Sequence, residues 1–160
     1  MAQTAAEFSN RKGGVAKLVA VSQLRTLVVE DYKPFLDYVT STLREWPNTQ
    51  VVGEAQDGLV GVELAAALQP DLILLDIGLP GLNGIQAARR IRNLAPNARI
   101  IFLTQESSPE IVHEALNLGA GAFVSKSRCL KDLPAAIEAV LRGEKFVSDG
   151  LDGQALKASL

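Results

Sequence analysis

From Leu24 onward, short apolar runs alternate with longer segments of helical spacing. That alternation confines the chain to repeated βα units around a parallel sheet. The runs are Leu24 to Val29, Val51 to Ala55 (interrupted by Gly53 and Glu54), Leu72 to Leu75, Ile100 to Leu103, and Ala122 to Val124. The third is almost wholly Leu and Ile, as suits a strand covered on both faces. Five apolar stripes lie between and after them. Leu36, Val39, Leu43 and Trp46 form the first, ended by Pro47, and Val60, Leu64, Ala67 and Leu68 the second, ended by Pro70. Ile85, Ala88, Ile91 and Leu94 follow Asn83, an N-cap, and precede Pro96. Ser108-Pro109-Glu110 reads as a helix start, with Ile111, Ala115 and Leu118 inward and Gly119 as the stop. Leu130, Leu133, Ile137 and Leu141 make the last stripe, closed by Gly143. The pattern predicts a doubly wound α/β sandwich of three layers, with helices on both faces of the sheet.

Composition supports one such domain. In 160 residues, 48% are hydrophobic and 21% charged, enough apolar material for a buried core. Residues 1–23 lack periodicity and read as a flexible extension, 24–143 as the domain, and 144–160 as a C-terminal tail or truncated linker. The net charge of −2 removes the basic footprint of a nucleic-acid binder, so no nucleic acid is expected on this segment. The single cysteine, Cys129, excludes an internal disulfide and a multi-cysteine zinc site, and fits a reducing cytosol. No apolar run approaches the ~18 residues of a membrane span, and Leu18 to Val21 is short for a secretory signal. The expectation is a soluble, cytoplasmic protein without membrane contact.

Open parallel sheets bind ligands beyond the carboxyl ends of their strands. There the sequence places Glu30 and Asp31 after the first run, Asp76 after the third, Thr104 after the fourth and Lys126 shortly after the fifth. Asp57-Gly58, after the second, looks like a turn. Each residue taken singly is an ordinary loop residue; five at strand ends are not a chance set. Three crowded carboxylates need a compensating cation, and oxygen-only ligands suit Mg²⁺. A metal-neutralised aspartate can act as a nucleophile toward phosphorus, with Lys126 adding positive charge and Thr104 a hydrogen bond.

Asp71-Leu-Ile-Leu-Leu-Asp76-Ile-Gly-Leu-Pro80-Gly-Leu-Asn-Gly84 and Gly119-Ala-Gly-Ala-Phe-Val-Ser-Lys126 complete a set of motifs in order and at characteristic spacing. Over about 120 residues, the size of a small domain, the chain resembles a response-regulator receiver domain of two-component systems, of the NarL/FixJ type. The resemblance implies a flavodoxin-like, five-stranded parallel sheet of order 2-1-3-4-5 with five helices. It implies Asp76 as phosphoacceptor, and Glu30, Asp31, Asp76 and the Gly78 backbone carbonyl as Mg²⁺ ligands. Thr104 corresponds to the switch hydroxyl, Lys126 to the phosphate-binding lysine and Phe123 to the switch aromatic. The implied event is phosphoryl transfer from a sensor histidine kinase or a phosphotransfer protein. Phe123 is then expected to turn inward, altering the face formed by the fourth and fifth helices and the fifth strand. Such a domain modifies only itself and is not a turnover enzyme. Homodimerisation through the last helices is expected by family analogy.

The chain departs from the family pattern at Gln105, where a small residue is usual, at Phe123, where tyrosine is commoner, and at Ser127, where proline is common. Two rival readings remain. One is a degenerate receiver that binds partners without phosphorylation. The other is an aspartyl-phosphate phosphatase, whose second acid, two residues on, is replaced here by Gly78. Seventeen residues follow Gly143 (160 − 143), fewer than a helix-turn-helix output domain needs, so the chain reads as a single-domain regulator or as one cut at a linker. Lys12-Gly13-Gly14-Val15-Ala16-Lys17 lacks the strand and the Ser or Thr of a phosphate loop and reads as tail. His113 reads as surface, Cys129 as packing and Trp46 as core rim. Leu116 to Phe123 reads as either an interaction face or a covered sheet edge.

Overall fold

The computed structural model describes residues 23–105 and 108–151. The extension at 1–22, with its Lys12 to Lys17 segment, and residues 152–160 lie outside the described residues. The elements run β1 (Leu24–Val29), α1 (Lys33–Arg44), β2 (Thr49–Ala55), α2 (Gly58–Leu68), β3 (Leu72–Asp76), α3 (Gly84–Leu94), β4 (Arg99–Thr104), α4 (Pro109–Asn117), β5 (Ala122–Ser125), a 3₁₀ turn (Lys126–Arg128), α5 (Cys129–Leu141) and β6 (Phe146–Val147). All strand pairs are parallel, in the order β2-β1-β3-β4-β5-β6.

Alternation along the strands divides the core into two slabs. Leu27, Val29, Ile73, Leu75, Ile100, Phe102 and Phe123 face α2, α3 and α4. Val28, Leu72, Leu74, Ile101, Leu103 and Val124 face α1 and α5. Local sequence sets the helix ends. Asn83 caps α3 in a reciprocal capping box with Gln86, and Ser108 caps α4 with Pro109 next to it. Asp57, read as part of a turn, instead caps α2 by accepting a hydrogen bond from Val60 N at 2.8 Å.

The five-strand expectation is corrected to six. β6 lies in the stretch read as tail and pairs with β5 through Phe146 N to Gly121 O and Ser148 N to Phe123 O. Its two residues are too few to show a period, so only the docking of Val147 and Leu151 into the core reveals it. The edge of β5 is therefore covered, which decides for that reading of Leu116 to Phe123.

Four helix stripes are also corrected. In α2, Val60 and Ala67 are exposed, while Gly61, Val62 and Ala65 face the sheet. That helix is apolar nearly all round, so periodicity does not choose its inner face. A side chain on Gly61 would meet Val29 at 2.9 Å, and this close approach makes the choice. In α4, Ile111 points outward and Val112, Ala115 and Leu116 point in. In α5, Leu130 and Leu141 are exposed, and Cys129, Leu133, Ala136, Ile137 and Val140 form the buried stripe. Leu94, at the end of α3, is exposed as well.

Candidate functional site

All strands run toward the same end of the sheet, so the residues after β1, β3, β4 and β5 converge there. Glu30 continues β1: its N–H still bonds Ala55 O at 2.9 Å, which holds the carboxylate inside at 0% exposure. Glu30 Oε2 accepts from Tyr32 N at 3.0 Å. Asp76 ends β3 and is 4% exposed, with Oδ1 accepting from Gly78 N at 3.0 Å. Thr104, equally buried, ends β4 and lines the same cleft. Lys126 opens the 3₁₀ turn and turns its ammonium inward, 2.7 Å from Glu30 Oε1 and 3.3 Å from Asp76 Oδ1. That ammonium also sits 5.1 Å from the centroid of the Phe35 ring, a cation–π distance.

Oxygens of Glu30, Asp31 and Asp76 lie within 4.8 Å of one another, with Asp31 exposed and the other two buried. Burial pushes the Asp76 carboxyl up to about 6; the Gly78 N–H and the Lys126 charge oppose this, and the Glu30 charge adds to it. Glu30 Oε1 is close enough to Lys126 for an ion pair, yet no hydrogen bond fills its acceptor capacity. A buried oxygen left short of partners, beside two more carboxylates, fits a hard divalent cation such as Mg²⁺. Glu30, Asp31 and Asp76 are the side chains that would hold it.

The cleft, ≈ 1080 Å³, is walled by Tyr32, Phe35, Ile77 and Ile111, with exposed Gln105 at its mouth. All five residues expected at strand ends are thus brought together, and Gly78 joins them through its N–H to Asp76. Phe35 is the participant that sequence reasoning missed. Its place five residues after Glu30 signals nothing until α1 folds back over the cleft.

Phe123 stands apart from the cleft. It is fully buried, with its ring 6.0 Å from that of Phe102. The inward position expected of it only after phosphorylation is thus already taken, because Val147 and Leu151 pack into the same core and close the edge of β5. His113 is exposed on α4. Cys129 is buried, and burial pushes its thiol up to about 11, which makes it an inert packing residue. Trp46 packs at the rim of the α1–α5 slab. No helix among the described residues is long and apolar enough to cross a membrane.

Known proteins resemble this chain in sequence and fold. The profile of the response regulator receiver domain matches residues 26–138. The nitrate/nitrite response regulator NarL of Escherichia coli is 35% identical over 125 residues, covering 78% of this chain and 58% of that protein. The transcriptional regulatory protein LiaR of Bacillus subtilis is 31% identical, covering 83% of this chain and 63% of LiaR. This chain thus spans about three fifths of the length of these relatives. Among solved structures, a LuxR-family two-component response regulator from an Aurantimonas species superposes with a TM-score of 0.79 at 30% identity, covering 86% of this chain and 99% of that one. The receiver domain of NarL from Mycobacterium tuberculosis superposes with a TM-score of 0.67 at 33% identity, covering 76% and 95%.

Proposed function

The chain belongs to the response regulator receiver domain family, and on that premise we propose that it is a phosphoacceptor of two-component signalling, phosphorylated on Asp76. The donor is a phosphohistidine on a sensor kinase or a phosphotransfer protein. An Asp76 carboxylate oxygen attacks phosphorus; the O–P bond forms as the N–P bond breaks, and the imidazole nitrogen keeps the bonding pair. Mg²⁺, when bound, supplies positive charge against the crowded carboxylates and the transferring phosphoryl oxygens. Glu30, Asp31 and Asp76 would hold it, and the Gly78 carbonyl would be a further ligand. Lys126, shared between Glu30 and Asp76, turns its ammonium toward the phosphoryl oxygens as they arrive. Thr104 donates its hydroxyl to one of those oxygens.

The observation that carries this reading is the convergence of three carboxylates and one ammonium on a single cleft. Thr104 and Phe123 then serve as the switch that alters the face formed by α4, β5 and α5, with the Phe123 ring already buried in this structure. Signalling then controls an output outside this domain, in the cytoplasm, and the domain turns over no separate substrate. The exposed Leu130 and Leu141 on α5 support homodimerisation through that helix.

Incubation with acetyl phosphate and Mg²⁺, followed by intact mass, tests the proposal. We expect wild type to gain one phosphoryl group and Asp76→Asn to gain none. A protein that never gains mass, with partner binding unchanged in the variant, is a degenerate receiver. Steady phosphate release from a general monoester identifies a phosphatase instead.

A further inference from the structure

The segment after α5 reaches back to the turn that bears Lys126. Ser148 directly follows β6, is fully buried, and three of its hydrogen bonds reach back to β5 and α5. Its N–H donates to Phe123 O at 2.9 Å. Its hydroxyl accepts from Ser125 N at 3.0 Å and donates to Asp132 Oδ2 at 2.6 Å. Asp132, in the first turn of α5, also accepts from Arg128 Nε at 3.0 Å. The Lys126 turn is therefore gripped on both sides, at Ser125 just before it and at Arg128 where it ends. Ser125 Oγ and Ser127 Oγ, 2.9 Å apart, tie the turn to itself. Burial works against the charge of Asp132, yet the Ser148 hydroxyl and the Arg128 guanidinium hold its carboxyl below the ordinary range.

A serine hydroxyl has one proton to give, and here that proton and one lone pair are both used inside the protein. Removing it strands a buried N–H next to Lys126 and takes a donor from Asp132. We propose that Ser148 is a positioning residue for phosphoryl transfer: through the Ser125 and Asp132 contacts it holds the turn that places Lys126 Nζ between Glu30 and Asp76. The inference rests on the roles of Asp76 and Lys126 given above. It also joins residues 146–151 to the site. Binding linkage is reciprocal, so movement of Lys126 onto a phosphoryl group alters the hold on this strap, and the chain beyond it receives the change.

The test uses the 160-residue chain as wild type, Ser148→Ala, Ser148→Thr, Asp132→Asn, Lys126→Ala and the Ser148→Ala/Lys126→Ala pair. Initial phosphorylation by acetyl phosphate and Mg²⁺ is followed by intact mass and normalised to the folded fraction from circular dichroism. Ser148→Ala is expected to lower the rate roughly tenfold, within the ~100-fold that a misplacement of about 1 Å can cost. Ser148→Thr keeps the hydroxyl and restores most of the rate. In the Lys126→Ala background the Ser148 effect disappears. A folded Ser148→Ala with the wild-type rate overturns the inference, and so does an equal loss in both backgrounds, which marks a merely structural serine. If Ser148→Ala does not fold, Asp132→Asn decides by the same comparison with wild type. Failure of wild type itself to gain a phosphoryl group refutes the Asp76 reading and takes this inference with it.

Discussion

Burial pushes Asp76 up to about 6, from an ordinary value of 3.8, in a site that places Glu30 beside it. A folded-state value above the unfolded one means that the folded protein keeps a proton the unfolded chain gives up between those two pH values. Stability from this group therefore falls as pH rises through that window, and the full cost stands above about pH 6. In metal-free buffer, Asp76→Asn should stabilise the protein by about 1–3 kcal/mol at pH 7.5, and by almost nothing at about pH 3, below both values, where the carboxyl is protonated in both states. Urea unfolding at the two pH values measures this; an equal gain at both refutes the electrostatic cause. Sequence order alone pointed to Asp76 because it ends an apolar strand. The strain on it comes from depth and from Glu30, which sits on another strand.

The start of α3 shows how one helix supports the site. Asn83 and Gln86 cap it reciprocally, and Gly84 lies so close to β3 that a Cβ there would be 2.3 Å from Asp76 O and 2.7 Å from Ile77 Cα. The Asp76 main chain thus rests directly on the first turn of the helix. Asn83→Ala should cost about 1 kcal/mol of stability and leave phosphorylation nearly intact. Gly84→Ala should cost about 1–3 kcal/mol as the main chain is pushed away, and should also slow phosphorylation of the folded protein several-fold. Urea midpoints and intact-mass rates on the two variants give the comparison, and equal rates would refute the coupling. The cap was legible in Asn83 and its flanking stripe, because capping is a matter of three or four adjacent residues. The inner face of α2 was not, because nearly every position there is apolar and the choice fell to the contact between Gly61 and Val29.

Across the whole molecule, β6 is part of the sheet, with Val147 and Leu151 in the same core slab as Phe102 and Phe123. Val147 is 4% exposed, so Val147→Ala should lower stability by about 1–3 kcal/mol. Unfolding should remain one transition, with the fluorescence of Trp46, the single tryptophan, and far-UV circular dichroism changing together. An unchanged midpoint would mean that the strap is an appendage and contributes nothing to the core.

The sequence by itself determined the βα order, the strand positions to within a residue or two, the N-caps of α3 and α4 and the five polar residues of the cleft. Period, caps and strand ends are local signals, written within a few neighbouring residues, and parallel topology carries strand ends to one place without further information. The tertiary structure decided what depends on residues distant in the chain: the sixth strand, the inner faces of α2 and α4, the place of Phe35 over Lys126, and the grip of Ser148 on Ser125 and Asp132. Each of these is a contact that closes only after the sheet is assembled, so no stretch of sequence carries its pattern.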